Sequence, residues 1–542
     1  MEGSILVGYT QKGWLPHLIN TIPIEAQRNR ISMYTIALEG WRRGLNLKFY
    51  KYNNNNKPDI QYSLSYKDRV HHFDGAGGDK NSVEAITICD DKSLTKMRLN
   101  NSGIPVPQGR GFDSDKTEEE IIKFGQSINF PVVLKPIDGY GGKGVIVNIK
   151  TNTELKNALA YNRNELGFKN VVVEQFVMGD EVRVYVLEGK VIGAVQRRSA
   201  NVVGDGINTI NKLIEAKNQF RKNIPHLYFR PIKVDSEVKK LIQAAGYSLD
   251  SIPKAGERIF LRKTSNITTG GDPIEVTSEL TTEQRGIAIN AVKAIPGLTH
   301  CGVDMIINKE NDTSMVLELN TRPGIGSHLF PVEGKAKDIP KKIIDFYFPE
   351  TKGISTEDAN VYFDFRSIQD TLAGGTTREV VVAPLINKKL VAKRYLISGD
   401  IEPIRYHQWL QRKVFESNLN GFIRRIDDEN IEVVIAGETQ ADADEFLTIL
   451  NHKILQSQIS SISEEDWKLP IKIGFELMNE YNSMSVRELE IKIQDIKKEL
   501  KLVEKEQNRI GNRIKMVQKS RIWKLTSPLR YLGGKIREVR SR

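Results

Sequence analysis

Residues 130–149 constrain the fold of this chain more than any other stretch. An apolar run carrying one lysine, Phe130-Pro-Val-Val-Leu-Lys135-Pro, leads into Gly139-Tyr-Gly-Gly-Lys-Gly144. A second apolar run, Val145-Ile-Val-Asn-Ile149, follows. A Walker A loop would end in Gly-Lys-Ser/Thr and open a helix, and a dinucleotide fingerprint would also lead into a helix. Here a strand follows, so the segment predicts a β-hairpin with a glycine-rich loop. Residues without a Cβ let backbone N–H groups approach phosphate oxygens, and Lys135 supplies a point charge beside them. Taken alone, the cluster is as compatible with a plain hairpin turn.

A second motif lies downstream. In Val316-Leu-Glu318-Leu-Asn320-Thr-Arg322-Pro-Gly324, Glu318 and Asn320 fall two residues apart on a predicted strand and share a face. Cys301-Gly-Val-Asp304-Met-Ile-Ile puts another carboxylate on a second apolar strand. Asp, Glu and Asn oxygens converging on one point form a hard-cation site of the kind Mg²⁺ takes with water and substrate phosphates. Without other motifs, two carboxylates near apolar strands are more often solvated strand edges.

The bulk properties narrow the class. At about 100–200 residues per domain, a chain of this length predicts three or four domains. The only two cysteines are Cys89 and Cys301, so no disulfide framework is expected, and both fall in apolar runs. The N-terminus lacks the pattern of a secretory signal, and no apolar run approaches the ~20 residues of a membrane span. A cytoplasmic location is expected. The net charge of +11 is concentrated at one end: residues 513–542 hold ten Lys/Arg against the single acid Glu538. The rest of the chain is near neutral, so nucleic-acid binding is not expected of it.

Motif placement predicts an α+β multidomain chain. Residues 1–88 form an N-terminal accessory region with mixed short patterns. Within 89–350, a helix is expected at 92–102, an extended segment at 104–107 where two prolines forbid helix, a strand at 171–177, and a meander over 181–186 and 190–195. Residues 351–388 read as a connecting segment. Residues 389–480 hold a compact unit with strands at 389–397, 422–426, 431–435 and 471–477 and helices at 404–417 and 441–455, the ferredoxin-like βαββαβ order. Over 485–520, Val486, Leu489, Ile493, Ile496, Leu500, Val503, Gln507, Ile510, Ile514 and Val517 alternate by three and four. That pattern predicts a C-terminal α-helical coiled coil and hence a homo-oligomer. Residues 521–542 are basic with interleaved Trp523, Leu525, Tyr531 and Ile536, a composition suited to an anionic membrane surface such as the inner membrane face.

Several motifs in order carry a family resemblance. They are Asp91-Lys92-x-x-Thr95-Lys96 with Gly103-Ile-Pro-Val-Pro107, then Lys135, the glycine-rich loop and Glu174-Gln-Phe-Val177. Val203-Gly-Asp-Gly-x-x-Thr209, Leu261-Arg262-x-x-x-Asn266, Cys301-Gly-Val-Asp304 and Glu318-Leu-Asn320 complete the series. Residues 80–350 resemble the ATP-grasp fold of carboxylate–amine ligases, in particular the ATP-grasp module of cyanophycin synthetases and fused glutathione synthetases. The resemblance implies ATP and two Mg²⁺ ions, with small carboxylate and amine substrates. Lys92, Lys135 and the loop residues Gly139, Gly141, Gly142 and Gly144 would hold the phosphates. Glu174 and Val177 would hold adenine, and Glu181 the ribose. Asp304, Glu318 and Asn320 would bind Mg²⁺. Arg183 would serve the nucleotide phosphates or the carboxylate, and Arg198, Arg262 and Arg322 would be catalytic. The implied reaction phosphorylates a carboxylate, and an amine then attacks the acyl phosphate. The alternatives are an acylphosphatase or carboxylate kinase, and a non-catalytic nucleotide-binding scaffold.

Cyanophycin synthetases carry a Mur-ligase module after this part, but no G-x-x-x-x-G-K-[ST] follows residue 350, and the roughly 80 residues before this part are too few for the glutamate–cysteine ligase module of fused glutathione synthetases, so the substrates are not expected to transfer from these families. Residues 390–478 instead resemble an acylphosphatase. The phosphate-binding arginine of that family falls on His407 and its asparagine on Arg425, and Pro403 and Arg405 replace loop glycines. The unit is expected to keep the fold without the hydrolase activity. The basic tail resembles tails of bacterial enzymes that build surface polysaccharides, which would make a cell-surface precursor the acceptor.

Overall fold

A computed structural model describes residues 13–54, 57–137, 144–385, 387–399, 403–427, 429–444 and 459–478. The expected coiled coil (485–520), the basic tail and the loop residues Gly139, Gly141 and Gly142 lie outside these residues. The chain divides into two units. The first runs to Ala392 and takes in Ala436–Ala443 and Trp467–Gly474; the second is built on Lys393–Ile435 with strands near 459–466 and 475–478.

In the first unit, an N-terminal layer packs the helix Ile31–Arg42 on a five-stranded sheet. Its order is Glu379–Val382, Asn46–Asn54, Lys57–Tyr66, Arg69–Asp74, Gly77–Gly78, antiparallel throughout. Residues 351–388 are therefore more than a connector. Their strand Glu379–Val382 closes one edge of this sheet, and Phe363 and Phe365 stack among Tyr34, Trp41 and Phe49 in its core. Aromatic rings bury large areas, which is why this layer needs a segment over 300 positions from its helix.

Two further sheets form the centre of the unit. One has four antiparallel strands in the order Gly109–Phe112, Val171–Gln175, Val132–Pro136, Ile146–Ile149. The expected hairpin strands of residues 130–149 are two of its members, with Ile146–Ile149 at one edge. Helices Glu118–Ser127 and Asn152–Ala160 cover it, burying Ile121, Leu155 and Leu159 against Val132, Leu134 and Val173. The other sheet has five strands in the order Asp272–Glu275, Lys190–Arg198, Asp180–Leu187, His300–Asn308, Thr313–Asn320. Helices Val83–Asp90, Lys92–Asn101 and Thr282–Lys293 pack against it. Asp91 caps the helix that carries Lys92 and Lys96, accepting hydrogen bonds from the backbone of Ser93 and Leu94 at 2.9 Å. Between the meander and the sheet edge, residues 201–260 form an inserted subdomain. Two short strands, Asn201–Val203 and Arg258–Phe260, and helices Ile210–Arg221 and Ser236–Ala244 bury their own core.

The second unit carries a five-stranded sheet in the order Ile459–Asp466, Val391–Gly399, Asn430–Gly437, Asn420–Arg425, Phe475–Met478, with helix Pro403–Glu416. The ferredoxin-like order holds with one correction. The strand expected at 471–477 is not the fourth strand; Ile459–Asp466 takes that place beside Val391–Gly399. Ile471–Lys472 pairs in parallel with Val361–Tyr362 of the first unit's fold, and Phe475–Met478 adds a fifth strand parallel to Asn420–Arg425. The run of acids in Ile459–Asp466 leaves most of that strand exposed, which suits an edge and hid it from a search for apolar alternation. The helix expected at 441–455 is described only over 441–444.

Candidate active site

Register decides the site. On adjacent antiparallel strands, Asp304 lies opposite Glu318, and Gly302 opposite Asn320. Directly opposed residues share a sheet face, and Asn320 is two residues from Glu318, so all three oxygen-bearing side chains belong to one face. On the other side of the same strand, Arg183 lies opposite Asp304. One strand further, Val195 lies opposite Arg183, and Arg197, two residues on, shares its face and pairs with Glu181. A single face of the five-stranded sheet thus presents Glu181, Arg183, Arg197, Asp304, Glu318 and Asn320.

The electrostatics follow from this placement. Arg183 donates from Nε and an Nη to the two oxygens of Asp304, both at 2.6 Å, and Arg197 adds a contact at 3.2 Å. Arg197 also pairs with Glu181, whose other oxygen accepts from Ser265 Oγ at 2.5 Å. Asp304 is 2% exposed. Burial alone would raise its pKa, but Arg183 and then Arg197 hold it well below the usual carboxylate range. Glu318 moves the opposite way: burial first, then the Asp304 charge, push it up. The donor set fits Mg²⁺. It offers hard oxygens only, and its two carboxylates stand close enough to share a hydrogen bond, the arrangement a divalent cation relieves. Among the described residues no group of three His, Cys, Asp or Glu side chains is set to hold a metal, so the Asn320 amide and oxygens from outside the protein would have to complete the shell. Asn320 Oδ1 already caps the turn that follows, accepting from Arg322 N at 3.1 Å.

A second cluster sits on the four-stranded sheet. Glu174, 5% exposed, accepts from Lys135 at 2.5 Å and from Lys96 at 2.8 Å. Burial would raise the Glu174 pKa; Lys135 and Lys96 together hold it below the ordinary value. Two half-exposed lysines are thereby held side by side, a pair of point charges suited to phosphate oxygens. Lys92, expected to hold phosphates, does not join this pair. The helix sets Lys96, one turn further on the same helical stripe, beside Lys135 on Glu174, while Lys92 acts electrostatically on Glu318. The glutamate expected to hold adenine spends its carboxylate on these lysines, and its backbone pairs with Gly109 on one side and Val133 on the other. Val177 follows in the extended segment after Val171–Gln175. Gly144 has φ +78°, and Asn162 Oδ1 lies 2.4 Å from where a Cβ would stand, so only glycine closes this end of the hairpin.

The three arginines expected to be catalytic are not gathered on Asp304. Arg198 points from the opposite face of its strand and bonds Glu333. Arg262 bonds Asp235 and Glu237, each at 2.6 Å, in the inserted subdomain. Arg322 bonds Asp74 at 2.9 Å and lies 3.5 Å from Asp90. Each is drawn to nearby acids that spacing alone does not reveal. Arg197 was missed; its adjacency to Arg198 hides the fact that strand neighbours face opposite sides, and the alternation of the meander is the signal that separates them.

Residues 89–212 and 260–346 match the RimK-like ATP-grasp domain, and residues 393–477 match the acylphosphatase family. The first of these parts is similar to a RimK-like ATP-grasp domain. Its match takes in Lys96, Lys135, Glu174, Arg183, Arg197, Asp304 and Glu318 and omits residues 213–259, most of the inserted subdomain. Cyanophycin synthetase of Trichormus variabilis is 33% identical over 280 residues, covering 50% of this chain and 30% of that protein. The glutathione biosynthesis bifunctional protein GshAB of Listeria welshimeri is 35% identical over 280 residues, covering 50% and 35%. The crystal structure of a bifunctional glutathione synthetase from Pasteurella multocida aligns at 27% identity and a TM-score of 0.42, over 54% of this chain and 40% of that one. The chain thus spans about a third of the length of the curated relatives it matches.

Proposed function

We propose that this chain is an ATP-dependent carboxylate–amine ligase that works through an acyl phosphate. The observation that carries this reading is the register that sets Arg183, Asp304, Glu318 and Asn320 on one sheet face. Lys96 and Lys135 would bind phosphate oxygens of ATP, and residues 174–177 the adenine. Glu181 would take the ribose hydroxyls. Asp304, Glu318 and Asn320 would hold two Mg²⁺ ions, which supply charge neutralisation for phosphoryl transfer when bound. Arg183 and Arg197, forks of donors beside those carboxylates, would steady the anionic centre as the acyl phosphate forms and the amine attacks. The domain matches and the synthetase relatives support the same reading.

Incubation of the full chain with MgATP and pooled carboxylic acids and amines tests it, reading ADP by coupled assay and amide by mass. ADP and amide formation lost in Lys135→Ala is the expected result. Nucleotide binding without ADP release for any pair would favour the scaffold reading instead.

Within the same reading, residues 393–477 keep an acylphosphatase fold without that activity, because His407 and Arg425 occupy the positions of the family's arginine and asparagine. Phosphate release from a generic acyl phosphate by Lys135→Ala would contradict it. The heptads of 485–520 support assembly through a coiled coil, and the basic tail supports contact with anionic membrane at the inner face from the cytoplasm. Among the described residues, no helix is long and apolar enough to cross a membrane. Unchanged liposome co-sedimentation after removal of residues 519–542 would remove the membrane contact from this reading.

A further inference from the structure

Two contacts from different parts of the chain hold the Glu181 carboxylate. Arg197 donates to Oε1, and Ser265 Oγ donates to Oε2 at 2.5 Å, the length of a charge-assisted O–H···O⁻ bond. Neither contact seals the group: the Glu181 side chain is 24% exposed, and Ser265 is only partly buried. Ser265 belongs to the segment that runs from Arg258–Phe260 of the inserted subdomain back to the strand Asp272–Glu275. That segment is fixed on both sides of it. Leu261, fully buried, donates its N–H to the Ala200 carbonyl at 2.7 Å. Asn266 Oδ1 accepts from Thr268 N at 2.9 Å, and its carbonyl accepts from Gly271 N at 3.0 Å. A pinned backbone thus delivers the Ser265 hydroxyl to Glu181. In the motif Leu261-Arg262-x-x-x-Asn266 this serine fills one of the open positions, so the motif gives it no role.

The last torsion of a glutamate is broad, so a contact on one oxygen leaves the plane of the carboxylate free to turn. Contacts on both oxygens fix it. Arg197 cannot do this alone, because it is shared with Asp304, which it meets at 3.2 Å. A carboxylate offers about four lone-pair positions. Arg197 and Ser265 take one each, which leaves about two, the number that a pair of adjacent hydroxyls requires. We propose that Ser265 is a positioning residue: it sets the Glu181 carboxylate for the two ribose hydroxyls and makes the site select nucleotides that carry them. The role rests on the ATP-dependent reading above, in which Glu181 takes the ribose.

Calorimetric titration of the full chain with the magnesium complexes of ATP and 2′,3′-dideoxy-ATP tests it, with Ser265→Ala and Ser265→Thr beside the parent. The parent should bind the dideoxy nucleotide about tenfold or more weaker than ATP, the worth of hydrogen bonds to a charged group. In Ser265→Ala, ATP should bind roughly three- to tenfold weaker while the dideoxy nucleotide stays within about twofold of its parent value, since it makes no contact for the serine to position. The selectivity then collapses with the thermal melt unchanged. Ser265→Thr keeps a hydroxyl and should restore it. Parent-like selectivity in Ser265→Ala, or an equal loss for both nucleotides, overturns the proposal. So does a parent that binds both nucleotides equally well, which leaves the ATP-dependent reading standing. A parent that binds no ATP overturns that reading and the role of Ser265 with it.

Discussion

Arg183 and Asp304 lie directly opposite one another on adjacent antiparallel strands and form a two-pronged hydrogen bond, both prongs 2.6 Å long. The pair joins the stability of the central sheet to its chemistry. Removing one partner of a buried ion pair typically costs about 3–5 kcal/mol, because the other charge is left buried. Asp304→Asn keeps the shape and loses the charge. It should lower the urea midpoint by the equivalent of about 2–3 kcal/mol, since the amide still accepts one hydrogen bond. ADP formation should fall by a factor on the order of 100 or more. A variant with normal stability and normal turnover would show that Asp304 serves neither role.

Lys96 and Lys135 share Glu174, so their effects should not add. Lys96→Ala and Lys135→Ala should each weaken ATP binding by roughly tenfold or more, the worth of a charge-assisted contact. The double variant should lose less than the product of the two, as coupled neighbours do. Lys92→Ala should weaken ATP binding less than Lys96→Ala. Nucleotide titration of the four proteins decides this; a larger loss for Lys92→Ala would return the phosphate role to Lys92.

His300 is fully buried, its ring nitrogens 3.1 Å from the Tyr185 hydroxyl and 3.0 Å from that of Tyr347. Burial, aided by Lys80, pushes its pKa down to about 4. The folded value lies below the unfolded 6.5, so the neutral ring stabilises the fold above pH 6.5. That contribution is lost as pH falls toward 4 and amounts to about 3 kcal/mol at most. Urea unfolding between pH 7 and pH 4.5 should show falling stability, and His300→Gln should flatten the slope. An unchanged slope in the variant would assign the acid sensitivity elsewhere.

Gly421 opens the strand Asn420–Arg425 with φ +138°, and a Cβ there would stand 1.8 Å from the Val434 carbonyl oxygen. Gly421→Ala forces the strands Asn420–Arg425 and Asn430–Gly437 apart. It should destabilise the second unit by about 3 kcal/mol or more, read as an earlier melting transition with ATP binding intact. An alanine variant that melts like the parent would refute the close approach.

The hairpin of residues 130–149, the helix from Lys92 and the Asp304, Glu318 and Asn320 face were legible because each rests on a local period or a turn requirement. Arg197 and Lys96 are not singled out by the sequence, for related reasons. Each has a chemically identical neighbour, Arg198 or Lys92, and only the phase of the strand or helix tells which one faces the site. The closing strand Glu379–Val382 and the acidic edge Ile459–Asp466 were not legible, since neither has the apolar alternation of a strand packed on one face.

The sequence by itself determined the hairpin, the order of the nucleotide-site motifs and the convergence of Glu318 with Asn320, because strand periodicity and the steric needs of glycine act over a few residues. Only the tertiary structure decided which cations serve those carboxylates. Cross-strand register chose Arg183 and Arg197 for Asp304, and packing of a helix on a sheet chose Lys96 for Glu174. Coulomb energy depends on distance through space, and residues more than 70 positions apart acquire that distance only when the sheets close.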